Sequence, residues 1–333
     1  MNAALTAFTP RGRDLAQTLV QALEGAGHTV SLRASEPLAQ WTQEAFAQKD
    51  ALIFVGAAAI AVRAIAPHLR HKSVDPAVLV LDEGGQFVIP ILSGHMGGAN
   101  DLARQVAALL GATAVITTGT DVNGIFAADQ WARRQGLTVG DFSRIAPFSS
   151  ALLAGERRGF WSRWPVEGTI PQELYPAPRE EAHLVLDWAA PRPDALWLRP
   201  ARPFVRLGVG CRRGTTPEAI RVLAGTLLED AGLDFSRVSA VCSIDLKQDE
   251  PGLLAFCRAL GLSLTVYTAQ ELAAVPGDFP PSPFVQQVTG VDNVCQRAAL
   301  AGGGLLIRAK TAHQGVTAAL AAEPLHFDWR NCL

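Results

Sequence analysis

The sequence has few cysteines: five among 333 residues, the first at Cys211, and no two of them form a CxxC pair. An odd and scattered set excludes a disulfide framework and argues against a structural zinc or iron–sulfur site, so no metal ligands are predicted. The sequence also lacks a large excess of either positive or negative residues, because the net charge is −2 and the pI is about 6.4. We therefore expect no general nucleic-acid surface.

Long hydrophobic runs are absent as well. The most apolar stretch, "ALIFVGAAAIAV", ends at Arg63 and is shorter than the ~20 residues that a spanning helix needs. The start, "MNAALTAFTPRGRDL", lacks the basic and apolar segments of a cleaved signal. These features predict a cytoplasmic protein without a membrane partner.

What is present is an alternation of β-rich runs and helical patterns, with 49% hydrophobic residues to fill the cores. The alternation predicts an α/β fold of two sandwich-type domains with largely parallel sheets, over residues 1–146 and 204–333. Residues 147–203 are rich in proline and tryptophan and predict a small irregular middle region or connector. We expect its four tryptophans to pack locally, with stacking on a ligand as the alternative: Trp161, Trp164, Trp188 and Trp197.

Several local patterns predict individual elements. The segment "AVLVLDEGGQFVIPIL" is typical of two strands joined by a hairpin turn, and "TAVITTGT" of one strand. Thr216 and Pro217 have the order of an N-cap and a first helical residue, and "TAQE" has the spacing of a capping box. Near the end, "HQGVTAALAAE" predicts a helix.

Four loops of the first half follow predicted strands and lead into predicted helices: "TPRGRD", "VGAAAIAVR", "LSGHMGGAND" and "TTGTDVNG". Open α/β sheets bind ligands at the carboxyl ends of their strands, so we expect these loops to face one common crevice. None of them matches GxGxxG or GxxxxGK[ST], and a nucleotide cofactor is therefore not indicated.

His95, in the third of these loops, is the leading candidate for proton transfer, because imidazole titrates near neutral pH. The alternative is that it only braces the turn. Ser93 is interpreted as a helix-entry hydroxyl rather than a nucleophile, since "LSGHMGG" is not GxSxG. Asp121 and Asn123 either orient a water or polar ligand or form an Asx-type turn.

Cationic side chains also occur at predicted loops and helix starts. Arg63 interrupts an apolar helix and either reaches a carboxylate ligand or is solvated. Arg212 and Arg213 follow one strand of the second half, and Lys247 follows the next. Clustered cations suit a polyanionic small molecule, and a surface salt-bridge network is the alternative.

Taken together, the motifs resemble a known family. The stretch from "DALIFVGAAAIAVR" through "SGHMGGAND" to "TTGTDVNG" resembles the amino-terminal part of the CbiG family, the cobalt-precorrin-5A hydrolases of the anaerobic cobalamin pathway. The segments "GVGCRRGTTPEAI", "SIDLKQDEPGLL" and "GVDNVCQRAAL" resemble the carboxy-terminal domain of this family, which also occurs alone as the CobE protein.

The resemblance implies that a δ-lactone on a ring-contracted cobalt corrinoid is opened and a two-carbon unit is lost as acetaldehyde. It implies no cofactor of the protein, because the cobalt arrives in the substrate, and it allows transient contacts with neighbouring pathway enzymes. As a hypothesis, His95 is the general acid or base, supported by Ser93 and Asp121. The residues expected to bind the substrate are Arg63, Gly94, Gly97, Gly98, Asn100, Asn123, Arg212, Arg213 and Lys247.

Two other functions are compatible with these residues. The first is a corrinoid-binding carrier that passes unstable intermediates between enzymes without chemistry of its own. The second is an unrelated hydrolase of small lactones, which is disfavoured because the sequence has no nucleophile elbow and leaves the second half unexplained.

Overall fold

The computed structural model describes residues 1–71 and 74–330, which form an α/β fold with three main sheets. Its helices are α1 (Pro10–Gly25), α2 (Leu38–Gln48), α3 (Ala58–Ile65), α4 (Ala99–Leu110), α5 (Gly119–Val122), α6 (Ala128–Arg134), α7 (Ile145–Leu153), α8 (Pro217–Asp230), α9 (Pro251–Leu260), α10 (Ala269–Ala273), α11 (Pro283–Thr289) and α12 (Val294–Leu300). The predicted α/β class with largely parallel sheets is confirmed. In these described ranges, no helix has the length and apolar character needed to cross a membrane.

The first sheet is formed by six strands. They are β1 (Asn2–Ala7), β2 (Thr29–Leu32), β3 (Ala51–Val55), β4 (Ala77–Leu81), β5 (Phe87–Leu92) and β6 (Thr113–Ala114). Their order is β2-β1-β3-β4-β5-β6, and β1 to β4 are mutually parallel. The predicted hairpin is confirmed, because β5 pairs antiparallel with β4 and β6 pairs parallel with β5. The carboxyl ends of β5 and β6 therefore lie at the sheet edge opposite to those of β1 and β3.

The middle of the chain contains six short strands. They are β7 (Leu137–Val139), β8 (Arg158–Ser162), β9 (Val166–Glu167), β10 (Leu174–Pro176), β11 (Leu184–Leu186) and β12 (Leu196–Pro200). All but β9 form a second sheet in the order β10-β8-β11-β12-β7, which is parallel except for β7. The expected irregular connector is thus an ordered sheet. Its strands are too short to give a period that can be read from sequence.

The last part of the chain forms the third sheet. Its strands are β13 (Val205–Cys211), β14 (Val238–Ile244), β15 (Leu264–Tyr267), β16 (Leu305–His313), β17 (Val316–Ala322) and β18 (Phe327–Asp328). All but β18 form a sheet in the order β15-β14-β13-β17-β16, and β18 pairs with β9 instead. The helix predicted over "HQGVTAALAAE" is wrong, because β17 occupies this segment. β17 pairs antiparallel with both β13 and β16, and this pairing overrides the helical preference of its alanines.

Aromatic side chains join the end of the chain to the middle sheet. The rings of Trp131 and Trp329 stack with centroids 4.5 Å apart, and Phe160 packs edge-on against Trp329. The indole N–H of Trp131 donates to the carbonyl of Asp328 over 2.8 Å. One core cluster therefore extends from the middle sheet into the third sheet. The domain boundaries near residues 146 and 203 stay a prediction.

Three further sequence predictions concern local structure. Thr216 caps α8 through its side chain with Pro217 at the first position, and Thr268 and Glu271 form a capping box on α10. Both predictions are confirmed. The strand predicted over residues 113–120 is shorter, since β6 covers only Thr113–Ala114.

Candidate active site

The loop between β5 and α4 carries His95 on a compact turn. Ser93 adopts a left-handed conformation with φ 56°, and Gly98 does so with φ 82°. The Gly98 N–H donates to the carbonyl of His95 over 2.9 Å, and the Ala99 N–H donates to the carbonyl of Ser93 over 3.1 Å. A Cβ atom at Gly97 would overlap the Cβ of Ser93. The glycines of this loop thus permit a tight turn that fixes the backbone of His95.

The His95 ring lies between two carboxylates from different helices. Its Nε2 is 2.9 Å from Oδ2 of Asp121 on α5. Its Nδ1 is 3.2 Å from Oδ2 and 3.1 Å from Oδ1 of Asp129, which is in the first turn of α6. The hydroxyl of Thr120 is 3.3 Å from Nε2. Both ring nitrogens thus face hydrogen-bond acceptors, an arrangement that suits the doubly protonated imidazolium.

Asp121 is the centre of a second group of contacts. The buried amide of Asn100 donates to Oδ2 of Asp121 and to the hydroxyl of Thr118, each over 2.9 Å. Arg104, one turn further along α4, donates a close hydrogen bond to Oδ1 of Asp121. Both carboxylate oxygens of Asp121 therefore have charged or amide donors, and their direction is fixed.

These contacts shift the pKa values of the site in opposite directions. Burial alone lowers the pKa of His95, but the hydrogen bonds and charges of Asp129 and Asp121 outweigh it and raise the pKa above its ordinary 6.5. Burial alone raises the pKa of Asp121, but hydrogen bonds from Arg104 and His95 lower it below its ordinary 3.8. Each shift favours the charged form of its group, so the contact favours a His95 imidazolium beside an Asp121 carboxylate.

A cluster of arginines surrounds the neighbouring Asp101. Arg134 contacts its carboxylate at 2.7 Å, Arg104 at 3.3 Å, and Arg133 makes a close ion pair with it. Burial alone raises the pKa of Asp101, but these three guanidinium groups lower it below its ordinary value. Since Arg104 bridges Asp101 and Asp121, the arginine cluster and the His95 group form one connected network.

A small cleft opens beside this network. Its lining residues are Arg104, Thr120, Asp121, Gly124, Ile125, Ala127 and Gln130. Asp121 and Thr120 therefore separate the cleft from His95 Nε2. A ligand in the cleft would meet the Asp121 carboxylate, which can accept a proton. It would also meet the Arg104 guanidinium, which can donate hydrogen bonds to an anion. Together with the His95 imidazolium, this arrangement can move protons and stabilise a developing oxyanion.

The structure brings some of the predicted site residues together. His95, Asp121 and Asn100 lie in one group, and Asn100 positions Asp121. Ser93 points elsewhere, because its hydroxyl donates to the carbonyl of Asp75 over 2.9 Å. Asn123 donates to the carbonyl of Gly119 over 2.8 Å, as expected for a turn-forming side chain. Their roles in catalysis and substrate binding stay predictions.

The remaining glycines and Arg63 lie differently from the expectation. A Cβ at Gly94 would lie 2.8 Å from the side-chain oxygen of Asn100, so Gly94 allows close packing, and the Gly98 N–H is already bonded within the loop. Arg63 is exposed on α3, which begins at the edge opposite to the His95 loop. The expected common crevice of four loops is therefore wrong, because the β4–β5 hairpin reverses the chain direction.

The three cations of the third sheet do meet at one edge, since they follow the parallel strands β13 and β14. Arg212 and Arg213 are exposed, whereas Lys247 is paired with the buried Glu250 over 3.0 Å. The Glu250 carboxylate also accepts the Gly214 N–H over 2.7 Å. Within residues 1–71 and 74–330, no ion pair connects these three cations to the His95 network. Their contact with substrate stays a prediction.

Sequence reasoning missed four members of the site: Asp129, Arg104, Arg133 and Gln130. The spacing of Asp101 and Arg104, three residues apart on a predicted helix, was an available signal for an ion pair. Asp129 had no such signal, because it is 34 residues from His95 and belongs to no motif. Only the folded chain brings its carboxylate to Nδ1.

The chain is similar to known proteins over most of its length. Three family models match: "Cobalamin synthesis G N-terminal" over residues 40–121, "Cobalamin biosynthesis central region" over 126–200 and "Cobalamin synthesis G C-terminus" over 205–321. The cobalt-precorrin-5A hydrolase of Salmonella typhimurium is 35% identical over 340 residues, which cover 95% of this chain and 96% of the relative. The chain belongs to the cobalamin synthesis G family.

Two further relatives fit this membership. The cobalt-precorrin-5A hydrolase of Priestia megaterium is 32% identical over 297 residues, covering 82% of this chain and 78% of the relative. The protein CobE of a Sinorhizobium species is 36% identical over 119 residues, covering 34% of this chain and 77% of that protein. The predicted resemblance to the cobalamin synthesis G family and to CobE is confirmed.

The family regions also show where the site lies along the chain. His95 and Asp121 belong to the N-terminal region of the cobalamin synthesis G family, whereas Asp129 belongs to the central region. The hydrogen bond between His95 and Asp129 therefore joins two family regions in one site.

Proposed function

We propose that this protein is a cobalt-precorrin-5A hydrolase that opens the δ-lactone of its corrinoid substrate and releases acetaldehyde. The observation that carries the proposal is the placement of Asp121, on a cleft and in contact with the His95 imidazolium, in a chain so similar to hydrolases of this name. The roles of individual residues follow from the geometry of the cleft.

The first step is hydrolysis of the lactone. Water adds to the acyl carbon, and the Arg104 guanidinium at the cleft donates hydrogen bonds to the developing oxyanion. The two protons of the added water pass to solvent, and the acyl–oxygen bond breaks to leave a carboxylate and an alkoxide. His95 supplies a proton to this alkoxide through the Asp121 carboxylate, which both contacts Nε2 and lines the cleft. The raised pKa of His95 favours the protonated ring that this step requires.

The second step is the loss of the two-carbon unit. His95, now neutral, takes back the hydroxyl proton through Asp121, and the resulting alkoxide becomes the carbonyl of acetaldehyde. The carbon–carbon bond breaks and its electron pair enters the macrocycle, so the step needs no external oxidant or reductant. His95 ends as imidazolium, ready for the next substrate. Asp129 holds Nδ1 throughout and fixes the orientation of the ring.

The proposal includes how the substrate is held. Its side-chain carboxylates suit the exposed guanidinium groups of Arg212 and Arg213, with Lys247 beside them on the third sheet. Cobalt enters as part of the substrate, and the steps above use no further cofactor. We place the reaction in the cytoplasm, with transient contacts to enzymes that supply and consume these corrinoids.

The test is acetaldehyde release from cobalt-precorrin-5A by the purified protein. His95→Gln should reduce the rate by about 100-fold or more, because the amide cannot carry a proton. His28→Gln is the matched control, since the His28 ring contacts Gln105 at 3.1 Å and His28 is not one of the residues that line the cleft. Normal turnover by a folded His95→Gln variant would contradict the residue roles.

A second candidate, a corrinoid carrier without chemistry, is favoured by the similarity to the free-standing protein CobE. The same assay separates the two functions. A carrier would bind the corrinoid and release no acetaldehyde, whereas the hydrolase releases it in step with lactone opening.

A further inference from the structure

The middle sheet carries a group of cationic and aromatic side chains at the carboxyl ends of its parallel strands. Arg163 follows β8, Arg179 lies three residues beyond β10, and Asp187 follows β11. This edge is where ligands bind in parallel α/β sheets. None of these residues belongs to the His95 network or to the cations of the third sheet.

Asp187 holds the two arginines in place. It is 0% exposed, and its carboxylate accepts Nε and Nη2 of Arg163 over 3.1 and 3.0 Å. Oδ2 of Asp187 also accepts Nε of Arg179 over 2.8 Å. One buried carboxylate needs one cation for neutrality, so two guanidinium groups leave a surplus positive charge at this edge.

Tryptophan rings fix the plane of the guanidinium groups. The centre of the Arg163 guanidinium lies 4.4 Å from the ring centroid of Trp188 and 5.0 Å from that of Trp161. The Arg179 guanidinium lies 5.8 Å from the same Trp161 ring. Trp161 therefore contacts both arginines, and these stacking contacts reduce the conformational freedom that a bound ligand would otherwise have to restrict.

Donors remain free at this point. Nη2 of Arg179 is used by the carbonyls of Ala189 and Ala190, at 3.1 and 3.2 Å. In the part of the chain that the structure describes, neither Nη1 of Arg163 and Arg179 nor the indole N–H of Trp161 has a hydrogen-bond partner. These atoms are not among the buried unpaired ones, and the two arginine side chains are 33% and 27% exposed. They are thus available to a ligand from solvent.

We propose that Arg163, Arg179 and Trp161 form a carboxylate-binding site that takes a side-chain carboxylate of the corrinoid substrate. A carboxylate matches the planar donors and the surplus charge, and this choice of ligand rests on the proposed function. The site gives the middle region a role in binding that is separate from the proton chemistry at His95.

The experiment measures binding by calorimetry with two probes, cobyrinic acid and its methyl ester. Arg179→Gln should raise the Kd of cobyrinic acid about tenfold or more, because a charged hydrogen bond is lost. Trp161→Phe keeps an aromatic ring at this position but removes the indole N–H, and it should raise the Kd of cobyrinic acid by a smaller factor. The ester, which has no free carboxylates, should bind both variants and the wild type equally.

Arg157→Gln is the matched control. Arg157 also stacks on an aromatic ring, with its guanidinium 5.6 Å from Tyr175, but it precedes β8 and so lies at the opposite edge of the same sheet. Arg157→Gln changes the net charge by the same amount as Arg179→Gln and should leave the Kd of cobyrinic acid unchanged.

Three results would overturn the proposal. The first is a wild-type Kd in both Arg179→Gln and Trp161→Phe, even where Arg179→Gln lowers the Tm, because the arginines would then serve only to neutralise Asp187. The second is an equal loss in Arg157→Gln, which would indicate general attraction by charge. The third is no binding of cobyrinic acid by the wild type. Acetaldehyde release is assayed separately, so failure of this site and failure of the proposed reaction are distinguishable.

Discussion

Replacing Asp129 with asparagine removes the negative charge at His95 Nδ1 while keeping an oxygen of similar position. The Asp129 side chain is only 10% exposed and the His95 side chain 13%, so solvent screens this contact weakly. A hydrogen bond to a charged group contributes about 1.5–3 kcal/mol, roughly twice a neutral one. We therefore expect Asp129→Asn to reduce the free energy of unfolding by about 1–2 kcal/mol while His95 is protonated.

The loss should depend on pH in a defined direction. The folded pKa of His95 is raised above its ordinary 6.5, so the stability it contributes is fully present below pH 6.5. That stability is lost as pH rises through the folded pKa. The difference between wild type and Asp129→Asn should therefore shrink from pH 6 towards alkaline pH.

The assay is urea unfolding at a series of pH values, with the titration of the His95 ring followed by NMR. Asp129→Asn should also lower the pKa of His95, because burial lowers this pKa and the Asp129 charge that opposes burial is then absent. In a His95→Gln background the pH-dependent part of the effect should vanish, which separates it from other titrating groups. A loss of stability that is the same at every pH would refute the assigned charge contact.

Three further predictions concern catalysis and packing. Lactone opening should fall as pH rises through the raised pKa of His95, above 6.5, because the first step needs the imidazolium; a pH–rate profile checks this, and an unchanged rate would contradict it. Arg104→Gln should reduce kcat about 10- to 100-fold in the acetaldehyde assay, because the oxyanion loses its charged donor, and an unaltered kcat would exclude that role. Gly208→Ala should destabilise the fold by about 1–3 kcal/mol or more in urea unfolding, because a Cβ there would overlap the carbonyl of Cys295. Gly225→Ala in α8, where the nearest atom is 3.7 Å away, is the control and should not destabilise.

Local patterns predicted much of the architecture correctly. The hairpin around "DEGG", the Thr216 cap and the capping box at Thr268 depend on residues a few positions apart, and all three are present. β17 is the counter-example, because its alanine-rich sequence favours a helix when read alone. Its strand conformation comes from pairing with β13 and β16, which sequence periodicity does not contain.

The candidate site also has features that the sequence predicts and features that depend on the tertiary structure. The glycine-rich turn and its histidine were visible in the sequence, and so was Asp121 as a polar residue at a helix start. The hairpin was visible too, yet its consequence for the sheet edges depends on which strands pair. That pairing places the start of α3 at the edge opposite to the His95 loop and makes the expected common crevice wrong.

The sequence by itself determined the α/β class, the β4–β5 hairpin, the caps of α8 and α10, and the loop that presents His95. Tertiary structure alone decided that Asp129 reaches Nδ1, that Arg104 bridges Asp101 and Asp121, and that a buried Asp187 gathers Arg163 and Arg179. The physical reason is distance along the chain. Caps and periods act within a few residues, whereas the charge contacts of both sites mostly join side chains that only the packing of separate elements brings together.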